Sequence, residues 1–179
     1  MLNDDLDVKI AGDKPSIDVR RNKSQPEQSL SISAEQIEKA KAIGQKVAQS
    51  FIADVETSDN EEFRDYDMIL QRRILLSFTA TAGFEQYIDN DVLIGIAQKS
   101  FLDALNKYST ELYKTSADTG AFSFYYLAFR RGSEVDRRIG QTFAMLCSHD
   151  GDPIFQELGE ALYCWFSSVV RKAVAEYLG

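Results

Sequence analysis

At 179 residues, with 44% hydrophobic and 11% aromatic content, the chain is long enough for one well-buried core and too apolar for wholesale disorder. Its formal charge is −8; residues 1–33 carry five basic against six acidic groups, so the remainder holds 15 against 22, or −7. An acidic body repels phosphate backbones and anionic lipid surfaces, which excludes nucleic acid and membrane as expected partners.

Three prolines and ten glycines leave long uninterrupted stretches, which favours helices over many short strands. No stretch of about 18 apolar residues occurs, and Met1-Leu2-Asn3-Asp4-Asp5 lacks the basic flank and apolar run of an export signal. The expected location is therefore cytoplasmic. Cys147 and Cys164 have no metal-ligand spacing and read as a reduced pair.

Residues 1–32 differ from the rest. Leu6, Val8 and Ile10 alternate with Asp7 and Lys9, Ala11 to Pro15 resembles a turn, and Ile17 and Val19 alternate again with Asp18 and Arg20. This is a weak hairpin pattern. A lone two-stranded hairpin is marginal in water, so the segment is expected to be a flexible tail, or one that orders against a partner. The helical domain is expected over 33–179.

Ser33-Ala34-Glu35-Gln36 is a capping box opening a first helix, whose apolar face runs Ile37, Ala40, Gly44, Val47, Phe51 and Val55. An acidic stretch follows over 54–67. On a calcium-loop template Asp54, Glu56, Ser58 and Asn60 take alternating ligand positions and Asp65 the last one. The template fails at its most diagnostic points: Asp59 replaces the glycine, Glu61 the apolar residue, and an aspartate the bidentate glutamate. A solvated linker with acid near the next helix N-terminus explains the stretch better than a divalent-cation site.

The second helix is expected from about Phe63 to Ile88, with a small-residue patch, Thr79 to Gly83, that admits close helix packing or marks a break. Asp89-Asn90-Asp91 punctuates the start of a third, predicted over 91–113. The fourth, 119–131, places Phe122, Phe124, Tyr125, Tyr126 and Phe129 all around its axis, a distribution that predicts a central, buried helix ending at Arg130-Arg131-Gly132. Ser133 is the predicted cap of a fifth helix over 134–147. Asp152 and Pro153 then open the last, 153–178, where Phe155, Leu158, Leu162, Trp165, Val169 and Ala173 are the predicted core face and Trp165 its most critical residue.

No catalytic motif emerges. Cys147 and His149 stand two residues apart and do not face each other on a helix; Cys147 also sits at the helix end that disfavours a thiolate. His149, Asp150 and Asp152 lack a distant fourth metal ligand. Glu157 and Glu160 lack the second acidic pair a magnesium site needs. The sequence thus predicts an all-α, single-domain bundle of about six helices with no cofactor and no bound metal. Its expected role is a non-enzymatic interaction or adaptor module, whose partner is another protein or, by self-association, a second copy. The alternative is a small-molecule-binding protein or small enzyme with an apolar pocket around 119–131, lined by Phe122, Tyr125, Tyr126 and Phe129, with Arg130, Arg137 and His149 as its polar residues.

Overall fold

A computed structural model describes residues 32–58 and 66–179; the expectations for the tail and for 59–65 lie outside these residues. Residues 32–179 form one compact unit. Seven α-helices are found among the described residues: α1 (Ala34–Ser58), α2 (Tyr66–Tyr87), α3 (Asp91–Tyr108), α4 (Thr110–Ala117), α5 (Ser123–Phe129), α6 (Val135–Leu146) and α7 (Pro153–Leu178), with a 3₁₀ turn, Thr119–Phe122, before α5. The all-α class is as the sequence predicts.

The helix ends follow local chemistry. Ser33 and Gln36 close the capping box reciprocally, with Ser33 N–H donating to Gln36 Oε1 at 2.9 Å and Gln36 N–H to Ser33 Oγ at 3.1 Å. Asn90 Oδ1 accepts from the amides of Val92 and Leu93. Asp152 accepts from Ile154 N–H at 2.9 Å, with Pro153 in the first turn, where its missing N–H costs nothing.

The third predicted helix is two. Ser109 adopts an extended backbone (φ −154°), its amide closing α3 onto Leu105 O while its hydroxyl accepts from Leu112 N–H and starts α4. A serine that serves both ends lets the chain turn without a glycine or proline. Ser133 is not a side-chain cap of α6; Glu134 holds the N-cap position in the left-handed region (φ 51°), and the Ser133 carbonyl instead accepts from the Arg138 guanidinium.

The central helix is α2, not the aromatic one. From Ile74 to Ala80 seven consecutive α2 residues are buried, and Ala82, Gly83 and Phe84 extend the run. It touches α1, α3, α4, α6 and α7, and reaches α5 through Phe78. The aromatic helix is instead a flank, with Phe124 and Leu127 more than half exposed. Seven residues are too short to be enclosed on every side, so Tyr125 is buried, Tyr126 and Phe129 are half-buried, and Phe124 meets water.

Small residues set the helix spacing. α2 runs unbroken through Gly83, where an added Cβ would lie 2.8 Å from Val170 Cγ1 of α7. At Gly44 of α1 it would meet the backbone of α3 at the Ala97 carbonyl, and at Gly140 of α6 the Gln156 carbonyl of α7. Gly159 lies against the Phe143 ring across the same α6–α7 seam. At each point the neighbour approaches as only the absence of a side chain permits.

One partly buried ion pair ties α1 to α2. Arg72 Nη2 and Nε donate to the two Asp54 carboxylate oxygens at 2.6 and 3.0 Å, a bidentate pairing. This arrangement displaces the calcium template at its start: Asp54, Glu56 and Ser58 all belong to helix α1, where alternate residues point away from one another.

The buried face of α7 is Gly159, Leu162, Tyr163, Phe166, Val170, Ala173 and Val174. Trp165 is 42% exposed and does not hold the core together. The apolar arc of α7 is wider than the buried arc, and the periodic pattern was centred on the wrong edge of it. Phe166, wholly buried edge-on to Phe51, takes the role predicted for Trp165.

Two stability contrasts follow. In urea denaturation, Gly44→Ala is expected to lose about 1–3 kcal/mol, because a rigid backbone opposes the new methyl. Gly95→Ala, facing open space on α3, is expected to gain up to about 1 kcal/mol. Likewise Phe166→Ala is expected to cost about 3–5 kcal/mol and Trp165→Ala less than about 1 kcal/mol; equal losses would contradict the burial described.

Candidate functional site

The seven residues singled out from the sequence divide into three places. Phe122, Tyr125, Tyr126 and Phe129 converge on Phe78 of α2, with ring centroids 5.1–6.0 Å from it. Phe122 and Tyr125 are wholly buried there, and Tyr126 and Phe129 partly so. Burial pushes the Tyr125 phenol well above its usual range, and its hydroxyl has no hydrogen-bond partner among the described residues. Arg130 lies over the Tyr126 ring, 5.6 Å from its centroid, a cation–π contact at the helix end. Arg137 is exposed and reaches Glu134 at 3.6 Å. His149 stacks on Phe155 at 3.7 Å.

The turn holding His149 is a helix stop. Ser148 takes the left-handed conformation (φ 64°), its amide donates to Met145 O, and His149 N–H reaches back to Ala144 O at 2.8 Å. These are the paired bonds of a Schellman motif, with serine where glycine is usual. Cys147 is buried, and among the described residues no three His, Cys, Asp or Glu side chains gather as a metal site.

A cleft of about 580 Å³ opens beside Phe129, between the end of α2, the start of α6 and α7, which the sequence did not single out. Tyr87, Asp136, Tyr163, Cys164, Ser167 and Arg171 line it. The Tyr87 and Ser167 hydroxyls are 3.0 Å apart. Burial, with Asp136 next in effect, pushes the Tyr163 phenol up to about 12. The same two causes, and a hydrogen bond to Asp136, push the Cys164 thiol up to about 11. The thiol is therefore held protonated as a donor to carboxylate, the opposite of what a nucleophilic cysteine requires.

The second surface feature lies on α7. Ile154, Leu158, Ala161, Trp165 and Val169 recur at steps of four, three, four and four residues, and so lie along one side of the helix. Ile154 is 73% and Trp165 42% exposed, Ala161 is exposed, and Leu158 and Val169 are half-buried. Lys172, also exposed, continues the line. An apolar stripe left partly in water on the longest helix among the described residues costs hydration free energy unless something covers it. The helical pattern was visible from sequence; which arc the core takes, and which it leaves outside, depends on where α1, α2 and α6 sit.

No protein-family model, curated protein or solved structure matches the chain.

Cys164 offers a direct check of the cleft's electrostatics, because Cys147 is buried and the chain has no other cysteine. At pH 8 alkylation of Cys164 is expected to run about 100-fold slower than that of an ordinary thiol, accelerating up to about pH 11 as the thiolate forms. Asp136→Asn removes the anion that opposes ionisation and is expected to shift the rate profile to lower pH; an unchanged profile would show that Asp136 does not act on the thiol.

Proposed function

We propose that the protein is a non-enzymatic helical interaction module that docks a protein partner on the exposed apolar stripe of α7. The observation that carries this reading is the stripe itself: five apolar residues in register on one helix, with Ile154 largely in water and Trp165 partly so. Aromatic anchors such as Trp165 are the side chains that contribute most at protein interfaces when they become buried. Among the described residues no three His, Cys, Asp or Glu side chains gather beside it. The exposed thiol is held protonated, and Tyr125 is enclosed within the core.

The small-molecule reading keeps a foothold at Phe129, which lines the open cleft with Tyr87 and Arg171. It has less support, since Phe122 and Tyr125 spend their surface on Phe78 and present none to a ligand. Residence in the cytoplasm accords with two free thiols, and no helix among the described residues is long and apolar enough to cross a membrane.

The docking reading is tested by replacing Trp165 with a photo-crosslinking aromatic residue and irradiating cells that naturally make the protein. Covalent adducts to protein are expected, and Ile154→Asp should abolish them. Irradiation that yields no protein adduct at position 165 overturns the reading.

A further inference from the structure

We infer that the cleft between the end of α2, the start of α6 and α7 binds a short zwitterionic peptide of two or three residues, with its free amino end at Asp136 and its free carboxylate at Arg171. This does not rest on the docking reading above. The α7 residues of the cleft lie on one flank of that helix's buried face and the apolar stripe lies on the other, so one helix can serve both.

The charges carry the argument. Asp136 and Arg171 line the same cleft, and neither forms an ion pair with any described residue. Asp136 accepts a hydrogen bond from the Cys164 thiol, and its charge, together with that of Glu160, acts on that thiol. Arg171 follows Cys164 by two turns of α7, a rise of about 10 Å. A negative end and a positive end at that separation, open to one volume of about 580 Å³, complement a molecule with a cation and an anion on a short chain. Extended peptide advances about 3.3–3.6 Å per residue, so two or three residues span the interval with both ends charged. A purely anionic ligand would gain Arg171 and be opposed by Asp136, and a purely cationic one would meet the reverse.

The groups between the two charges match a peptide backbone. Ser167 and Ser168 stand between Cys164 and Arg171 on α7, and the Ser167 hydroxyl is 3.0 Å from that of Tyr87. Hydroxyls both donate and accept, as the alternating N–H and C=O groups of a peptide require. Phe129 and Val135 add an apolar wall for a small side chain.

Tyr163 points to a ligand independently. It is only 7% exposed, and its hydroxyl has no hydrogen-bond partner among the described residues. Unlike the Tyr125 hydroxyl, which is sealed in the core, it keeps access to the cleft that the residue lines. A buried hydroxyl without a partner is costly, and a ligand carbonyl in the cleft would satisfy it. Burial and Asp136 hold the phenol protonated at neutral pH, so it is a donor there.

Titrating trialanine with free termini into the isotopically labelled full chain at pH 7, followed by amide chemical shifts, tests the inference. Saturable shifts are expected at Tyr87, Asp136, Cys164 and Arg171, with a dissociation constant in the millimolar range because both charges stay partly solvated. N-acetyl-trialanine lacks the cation and trialanine amide lacks the anion, and each is expected to bind at least about fivefold more weakly. Two exposed positions identify the pairing, and the spectra of their variants also report that the chain is folded. Arg171→Gln is expected to bind the free acid and the amide equally while still preferring both to the acetylated peptide. Asp136→Asn is expected to erase the preference for the free amine and keep that for the carboxylate. A merely distorted cleft would weaken all three peptides together. The absence of saturable shifts in the cleft overturns the inference, as does equal binding of the three peptides to the unaltered chain. Alanine binding as tightly as trialanine overturns it too, since a single residue does not span the two charges.

Discussion

The fold depends on backbones being allowed to touch. α2 is enclosed along most of its length, and enclosing a helix on all sides requires its neighbours to come close from several directions at once. Gly83 admits Val170 of α7, Gly44 admits α3 onto α1, and the Gly140 and Gly159 pair brings α6 against α7. Each glycine sacrifices helix propensity, roughly 1 kcal/mol against alanine, and in return the aromatic residues beside it reach full burial. Phe51, Phe84 and Phe143 are all inaccessible to solvent, and each belongs to one of the helices so joined. Widening any of these seams by one methyl group would separate rings that gain their stability from contact on every side.

Around that constraint the ion pairs contribute unequally. The Asp54–Arg72 pair is the most sheltered of the ion pairs described above, and it bridges helices that share little other contact. Lys46–Glu176 and Lys99–Asp103 lie in water and contribute little individually. Burial of aromatic and aliphatic surface holds the unit together, and the charges mostly decide what its outside repels.

Much of this was legible in the sequence where the determinant is local. The Ser33–Gln36 box, the Asn90 cap and the Asp152-Pro153 start all depend on a side chain and an amide a few residues away, and each is found as read. The turn at Ser109 is equally local yet was passed over, because a serine within a continuous apolar rhythm gives no signal that it will cap in both directions. Non-local determinants account for the larger departures. Whether Trp165 or Phe166 faces the core depends on the positions of α1 and α2, and one α7 sequence carries enough apolar residues to serve either face. The same ambiguity made the aromatic helix look central: five rings in eight residues describe a helix that can be buried, while its length decides that it is not. Of the residues read as a ligand site, four do assemble, around Phe78; Arg137 and His149 are held elsewhere by Glu134 and Phe155. The polar cleft at Tyr87 and Arg171 gave no sequence signal, since its members are scattered over three helices.

The antiparallel course of α1 and α7 has a consequence for how this unit can be joined to other chains. Phe51 meets Phe166 midway along the two helices, Lys46 reaches Glu176 nearer one end, and at that end Gln36 borders the same depression as Leu178 and Gly179. The start of α1 and the end of α7 therefore lie at one pole of the helical unit, away from the Ile154 end of α7. With both ends at one pole, the unit has the geometry of a cassette, one that can be set whole into a surface loop of another protein with its Ile154 end pointing away from the joint.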